Sequence, residues 1–171
     1  MARVAYVNGR YLMRDMAAVS IEDRGYQFAD GVYEVIWVQQ GRPVDLGRHL
    51  DRLDDSLQSL GISRPMSHAA LKVVVGEVIR RNLLRNGHVY IQSTRGVARR
   101  DHLVPEGTLP SLVVMASRES QRDAHIQEQG VAVITIPDIR WKRCDIKSIA
   151  LLPNIIGKQK ASQGNAFDAW Q

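Results

Sequence analysis

The order of apolar patterns along the chain limits the folds that are open to it. Residues 1–119 contain alternating strand and helix patterns, whereas residues 125–171 contain one strand pattern and one helix pattern. One strand and one helix leave apolar faces uncovered, so the second part cannot form a core by itself. We therefore expect a small α/β domain in residues 1–119, a linker in residues 120–124, and the beginning of a larger domain in residues 125–171.

The strands of the first domain follow from turn residues and from alternation of apolar side chains. In VAYVNGRYL, Asn8 and Gly9 separate two apolar-rich runs, and both favour the positive φ of a tight hairpin turn. GVYEVIWVQQGRPVDL predicts a second hairpin that turns near Gly41. HVYIQSTRG and SLVVMAS predict two further strands.

Two helices of this domain follow from apolar residues at helical spacing. The first is predicted from Gly47 to Leu60, where four leucines share one face and Gly61 ends the helix. Ser67 can cap the second helix, and Asn86 and Gly87 are expected to end it. The apolar stripe of the second helix comprises Leu71, Val74, Val75, Val78 and Ile79.

The second part of the chain predicts three elements. A strand is expected from about Val131 to Pro137 and a helix from about Leu151 to Gly164. The segment AFDAW near the end of the chain is typical of the beginning of another strand.

Composition and charge narrow the class of protein. With 44% hydrophobic and 24% charged residues, the chain is typical of a globular protein. No apolar run reaches the roughly 18 residues of a membrane span, and the N-terminus lacks a signal-peptide core, so we expect a cytoplasmic protein without a membrane partner. The net charge of +5 permits an anionic ligand, but the basic residues form no recognition helix, so no nucleic-acid partner is expected.

The single cysteine, Cys144, excludes an internal disulfide and a cysteine-based zinc cluster. We interpret it as a small buried residue, which is the usual environment of a free cysteine. No metal site is predicted.

Lys147 is the first candidate for chemistry. In RWKRCDIKSIALLPNIIGKQKA it lies between Ile146 and Ile149, after a strand pattern and before a helix pattern. A lysine at such a junction can be partly desolvated and can supply the neutral amine that Schiff-base chemistry requires. From these residues alone, a solvated surface charge remains the alternative.

Four separated blocks of sequence resemble one enzyme family. IEDRGYQFADGVYEVI, HLDRL, GHVYIQSTRGVARRDH and IRWKRCDIKSIALL together resemble the D-amino-acid aminotransferases, which belong to the fold-type IV, branched-chain-aminotransferase-like group of pyridoxal-phosphate enzymes. Four blocks in the right order are far more specific than one motif. The resemblance implies a two-domain fold of the α/β (α+β) class and the cofactor pyridoxal 5′-phosphate. It also implies amino-group transfer from a D-amino acid such as D-alanine to a 2-oxo acid such as 2-oxoglutarate.

The resemblance also assigns roles to five side chains. Lys147 would bind the cofactor as a Schiff base and move a proton to and from the substrate Cα. Arg52, in HLDRL, would bind the cofactor phosphate, for which a guanidinium fork is suited. Tyr33, Arg100 and His102 would bind the substrate α-carboxylate. Arg100 and His102 would complete the site of a neighbouring subunit, which implies a homodimer.

Other functions share parts of this pattern. Branched-chain aminotransferases and aminodeoxychorismate lyases resemble the chain in fold, but RRDH after STRG favours the D-amino-acid branch. A non-catalytic α/β domain that binds a protein or an anionic ligand is the alternative from another class. Members of the resembling family continue past the equivalent of Gln171 with further cofactor-binding residues, so we expect activity from a longer parent protein and none from residues 1–171 alone.

Overall fold

The computed structural model describes residues 3–119 and 124–171 and shows a mixed α/β fold, as the sequence predicts. Its strands and helices are, in chain order, β1 (Val4–Val7), β2 (Arg10–Met13), α1 (Arg24–Phe28), β3 (Gly31–Gln39), β4 (Arg42–Pro43), α2 (Leu46–Ser59), α3 (His68–Arg81), β5 (Gly87–Thr94), β6 (Ser111–Arg118), α4 (Ala124–Gln129), β7 (Val133–Thr135), α5 (Leu152–Gln163) and β8 (Asp168–Trp170). Six strands form one antiparallel sheet in the order β2-β1-β6-β5-β3-β4.

The chain divides into two compact units. The first contains Met1–Ser120 together with Ile146–Ile149, and the second contains Gln121–Asp145 together with Ala150–Gln171. The predicted linker at residues 120–124 lies outside the described residues except for Ala124. The domain boundaries drawn from the sequence stay a prediction.

Both predicted hairpins of the first unit are confirmed. Asn8 and Gly9, with φ of 44° and 92°, connect β1 to β2. Gln40 and Gly41, with φ of 52° and 80°, connect β3 to β4. Two consecutive residues with positive φ give the tight turn whose twist matches paired strands.

The core of the first unit lies between one face of the sheet and helices α2 and α3. On β3, alternate residues such as Val32 and Ile36 are fully buried, together with Leu50 of α2 and Val75 of α3. Every residue of the predicted α3 stripe is buried, which confirms that stripe. Each buried aliphatic side chain of this size contributes about 1.5–3 kcal/mol to stability.

The predicted end of α3 at Asn86 and Gly87 is wrong, because the helix ends at Arg81. The side-chain amide of Asn82 donates to the carbonyls of Val4 at 2.9 Å and Val78 at 2.8 Å. Its Oδ1 accepts from the backbone N–H of Val4 at 3.0 Å. These bonds tie the end of the helix to β1.

The second unit contains the predicted strand β7, the predicted helix α5 and the strand β8 that AFDAW predicts, together with the helix α4, which the sequence analysis does not predict. β7 and β8 pair in parallel, with Val133 opposite Asp168, and α5 lies between them in sequence. The interpretation of Cys144 as buried is wrong, because it is exposed and its thiol contacts the carbonyl of Trp141 at 3.1 Å. None of the helices in the described ranges is long and apolar enough to cross a membrane.

Candidate active site

Lys147 lies in a short extended segment that pairs with the start of β3. The N–H of Tyr33 donates to the carbonyl of Lys147 at 3.0 Å, and the N–H of Ile149 donates to the carbonyl of Gly31 at 3.1 Å. The neighbouring Ile146 is buried in the core. Backbone pairing and an anchored neighbour therefore fix the lysine at the edge of the main sheet.

The side chain and N–H of Lys147 contact two elements of the first unit. Its N–H donates to the hydroxyl of Ser56 on α2 at 3.2 Å. Its Nζ lies 4.4 Å from the ring centroid of Tyr33, within the range of a cation–π interaction, and the residue is partly buried. The structure therefore brings two of the predicted site residues, Lys147 and Tyr33, into direct contact.

Tyr33 is supported by a second tyrosine on the adjacent strand. Its ring stacks on that of Tyr90, with centroids 5.6 Å apart and an interplanar angle of 26°. Burial, and to a smaller extent the nearby Tyr33, raises the pKa of Tyr90 to about 12. Tyr90 therefore stays a neutral phenol at physiological pH, and its hydroxyl donates to Gln92 at 2.8 Å.

Arg52 forms a forked ion pair with Glu34 of β3. Its Nε donates to one carboxylate oxygen at 2.6 Å and its Nη2 to the other at 2.7 Å. These hydrogen bonds raise the pKa of Arg52 against the opposing effect of burial, so the guanidinium stays charged. An arginine has five N–H groups, and the two on Nη1 take no part in the bonds to Glu34.

His49 completes this cluster on α2. Its Nδ1 lies 2.7 Å from the second carboxylate oxygen of Glu34, and its side chain is 22% exposed. Glu34 itself is fully buried. One carboxylate on β3 therefore holds both an arginine and a histidine of the neighbouring helix.

Arg100 and His102 are brought together on the ring of Phe28 at the end of α1. The Arg100 guanidinium lies 4.7 Å from the ring centroid, and the His102 ring lies 5.5 Å from it at a tilt of 58°. Both side chains are exposed. Of the three residues predicted to bind the carboxylate, these two contact Phe28, whereas Tyr33 contacts Lys147.

A buried charge network supports the loop that carries Arg100 and His102. Nη1 of Arg24 donates to the carbonyl of Asp101 at 2.6 Å, and its Nε donates to Asp30 at 2.8 Å. Arg95 donates to the same carboxylate at 2.7 Å and 3.1 Å. Burial alone would raise the pKa of Asp30, but hydrogen bonds from both arginines outweigh it and hold the pKa below 3.8.

Sequence reasoning missed Glu34, His49 and this network. The signal for Glu34 is its position in GVYEVIWVQ, where it takes a place in the alternation that apolar residues otherwise fill. A charged residue on the buried face of a strand needs a partner, and the arginine and histidine at helical spacing in HLDRL are candidates for it.

Residues 31–171 match the model of the family described as amino-transferase class IV. The chain is 45% identical over 162 residues to a D-alanine aminotransferase of Bacillus licheniformis. The alignment covers 95% of this chain and 57% of that relative. The chain thus spans little more than half of the length of the curated relatives it matches.

Solved structures show the same fold. The branched-chain amino acid aminotransferase of Escherichia coli superposes with a TM-score of 0.86 at 19% identity, covering 99% of this chain and 59% of that one. A Mycobacterium tuberculosis protein described as a hypothetical aminotransferase in its PLP-bound form superposes with a TM-score of 0.81 at 21% identity, covering 97% and 60%. At these identities the likeness establishes the fold.

Proposed function

The chain belongs to the class IV aminotransferases, and we propose that the full-length protein transfers an amino group from a D-amino acid, such as D-alanine, to a 2-oxo acid, such as 2-oxoglutarate. The identity of 45% to a D-alanine aminotransferase over 95% of this chain supports the D-amino-acid branch. The observation that carries the proposal within the molecule is the contact of Lys147 with Tyr33 beside the helix that bears Arg52. Tyr33, Arg52 and Lys147 lie far apart in sequence, so the proximity of Lys147 to Tyr33 and to α2 supports the proposal.

Pyridoxal 5′-phosphate is the cofactor we propose, and the side chains present fit it. When bound, this group supplies an electron sink for the cleavage of a bond at the substrate Cα. Arg52 has two N–H groups on Nη1 that the bonds to Glu34 do not use and that could donate to phosphate oxygens, and Lys147 offers an amine that contacts an aromatic face. The PLP-bound form of the Mycobacterium tuberculosis aminotransferase supports the same assignment.

Lys147 would hold the cofactor covalently through Nζ and, once released, carry the proton that leaves the substrate Cα. A proton carrier must stay within hydrogen-bond reach of the atom that it serves. The backbone of Lys147 meets this need because bonds to Tyr33 and Ser56 fix it on two sides. The side chain then moves about a fixed point.

Tyr33, Arg100 and His102 would bind the substrate α-carboxylate in a homodimer. The hydroxyl of Tyr33 and the ring of His102 can supply directional hydrogen bonds, and Arg100 can supply a paired charge. The exposed position of Arg100 and His102 on Phe28 supports the proposal that they serve the site of a neighbouring subunit. The predicted cytoplasmic location stays a prediction.

The choice of enantiomer tests the proposed activity. Because a carboxylate clamp fixes one end of the substrate and Lys147 fixes the face of proton transfer, one enantiomer can react. We expect the full-length protein to transaminate D-alanine with 2-oxoglutarate and to leave L-alanine largely unreacted, as measured by steady-state kinetics. Preference for L-leucine would indicate a branched-chain aminotransferase, and release of pyruvate from aminodeoxychorismate would indicate a lyase.

Lys147→Ala tests the proposed attachment residue. We expect the variant to lose transamination and the visible absorption of the bound cofactor, while Lys158→Ala, which removes an exposed lysine, keeps both. Normal turnover of Lys147→Ala would refute the role of this lysine. Absence of any visible band in the wild-type protein incubated with cofactor would favour the non-catalytic binding module.

A further inference from the structure

Glu34 is a charged residue at a position where the sheet otherwise places apolar side chains. On β3 its neighbours on the same face are Val32 and Ile36, and all three residues have an exposure of 0%. Ionised carboxylates are almost never buried to this degree unless they are paired. Because a buried carboxylate needs partners, the residues that pair with Glu34 indicate what it does.

The Glu34 carboxylate accepts two hydrogen bonds from Arg52 and lies within hydrogen-bond distance of His49. Nε and Nη2 of Arg52 donate to separate carboxylate oxygens at 2.6 Å and 2.7 Å. Two parallel bonds between planar groups fix the plane of the guanidinium as well as its position. The Nδ1 of His49 lies 2.7 Å from the oxygen that Nη2 contacts, which holds the carboxylate against rotation.

The two ends of this ion pair differ in exposure. The Glu34 side chain is 0% exposed, whereas the Arg52 side chain is 51% exposed. An exposed arginine samples many rotamers, and one whose Nε and Nη2 are held by a rigid buried acid does not. The direction in which the N–H groups of Nη1 point is therefore set by Glu34.

We propose that Glu34 is a positioning residue that aims Arg52 at the phosphate of the cofactor, with His49 as the support of the carboxylate. This inference rests on the proposed function, in which Arg52 binds that phosphate. Fixing a binding group before its ligand arrives lowers the entropic cost of binding. Glu34 acts through Arg52 and does not itself contact the phosphate.

A merely structural role for Glu34 makes a different prediction. If the carboxylate only stabilises the fold, its loss should weaken the binding of every cofactor analogue alike. If it only neutralises Arg52, its loss should strengthen the binding of a phosphate. If it aims Arg52, its loss should weaken the binding of phosphorylated analogues alone.

The test compares two probes that differ by the phosphate and form no covalent bond with Lys147. Dissociation constants of pyridoxamine 5′-phosphate and of pyridoxamine are measured by calorimetry on the full-length wild-type protein and on Glu34→Gln. The glutamine keeps the size of the side chain but has one acceptor oxygen in place of two, so it cannot hold the fork. We expect the dissociation constant of the phosphorylated probe to rise roughly tenfold, with that of pyridoxamine unchanged.

Asp54 offers a matched control on α2, the helix that carries Arg52 and His49. It accepts a forked pair from Arg64 and lies 2.6 Å from Nε2 of His68, so it repeats the acid, arginine and histidine of the Glu34 cluster. Asp54→Asn should leave the binding of both probes unchanged. Equal weakening of both probes by Glu34→Gln, or tighter binding of the phosphorylated probe, would overturn the proposal.

A second variant covers the case in which Glu34→Gln does not fold. Glu34→Asp keeps the buried charge but withdraws the carboxylate by one methylene, so the guanidinium must follow it or lose one bond. We expect the preference for the phosphorylated probe to fall in this variant too. An unchanged preference in a folded Glu34→Asp protein would overturn the proposal.

Arg52→Ala separates this inference from the proposed function. If Arg52→Ala leaves the preference for the phosphorylated probe intact, Arg52 is not the phosphate ligand and the cofactor assignment of this residue fails. If Arg52→Ala removes the preference while Glu34→Gln retains it, only the positioning role fails. In the double variant Glu34→Gln, Arg52→Ala we expect the affinity for the phosphorylated probe to be no lower than in Arg52→Ala alone.

Discussion

Asp30 shows how single residues of the first unit make buried charge tolerable. Arg24 and Arg95 are 4% and 8% exposed, and both donate to the carboxylate of Asp30. The carbonyl of Asp101 and those of Gly61 and Leu60 accept further N–H groups of the two arginines. Among the described residues, Asp30 is the carboxylate that pairs with both guanidiniums, so its removal would take away the charge that compensates them.

Asp30→Asn is expected to destabilise the protein in a pH-dependent way. Breaking a buried ion pair costs about 3 kcal/mol at neutral pH. Because the arginines hold the pKa of Asp30 below 3.8, its contribution is fully present above that pH and is lost as the pH falls through the lowered pKa. Urea unfolding of wild type and variant at pH 7 and at stepwise lower pH should show the difference in unfolding free energy shrinking in acid.

The control for Asp30 is Asp145→Asn, which removes an exposed carboxylate paired with Arg143. Surface pairs contribute little, so this variant should leave the unfolding free energy at neutral pH nearly unchanged. A pH-independent difference for Asp30→Asn would refute the linkage.

The sequence indicates candidate site residues only where they lie in a recognisable local motif. The blocks of sequence indicate Lys147 and Arg52; Lys147 contacts Ser56 of α2, and Arg52, also on α2, contacts Glu34 of β3. The partner of Arg52 could not be read in this way, because the pairing of β3 with α2 is a tertiary contact. The prediction that Cys144 is buried is wrong because a residue type indicates only the average burial of that type.

Among the elements, the start of β3 does most to locate Lys147. Gly31 lets β5 approach closely, because a Cβ at Gly31 would lie 2.8 Å from the carbonyl oxygen of Ser93, and the same Cβ would lie 3.1 Å from Cδ1 of Ile149 in the segment Ile146–Ile149. The sequence predicts that Lys147 lies at a junction between a strand and a helix, but it does not predict the pairing of this segment with β3. Alternation reveals that a strand exists, whereas its neighbour depends on long-range packing.

Gly31→Ala should therefore disturb the lysine segment as well as lower stability. Crowding against backbone atoms costs roughly 1–3 kcal/mol. In hydrogen-exchange measurements we expect faster exchange at the amides of Tyr33 and Ile149, which bond the Lys147 and Gly31 carbonyls. Loss of unfolding free energy is measured in urea.

Gly76→Ala is the matched control for this element. Gly76 lies inside α3, and a Cβ there would meet no atom within 4 Å. The alanine should raise the unfolding free energy by about 0.5–1 kcal/mol and leave exchange at Tyr33 and Ile149 unchanged. A Gly31→Ala protein with wild-type stability and protected amides would show that the close approach is not needed.

At the scale of the whole molecule, the three residues predicted to bind the carboxylate fall into two groups with different contacts. Arg100 and His102 contact Phe28, and Tyr33 contacts Lys147. Sequence resemblance alone suggested that the first pair serves a neighbouring subunit, since no periodicity or composition reports on assembly. If the proposal holds, each site needs Lys147 from one subunit and Arg100 from the other.

Mixing two inactive variants tests this sharing of sites. A Lys147→Ala homodimer would lack the lysine in both sites, and an Arg100→Leu homodimer would lack the arginine in both. A mixed dimer would have one site with both defects and one site with neither, because a two-fold axis exchanges the contributions of the subunits. After unfolding and refolding an equal mixture, we expect D-alanine transamination to recover to about a quarter of the wild-type rate.

Mixing Lys147→Ala with the double variant Lys147→Ala, Arg100→Leu is the control, and it should recover no activity because no subunit supplies the lysine. Native mass spectrometry of the refolded sample verifies that mixed dimers have formed. If mixed dimers are present and activity does not return, Arg100 serves the site of its own subunit and the shared site is wrong. If the wild-type protein is monomeric and active, the homodimer itself is refuted, because a monomer cannot complete a site with the arginine of another chain.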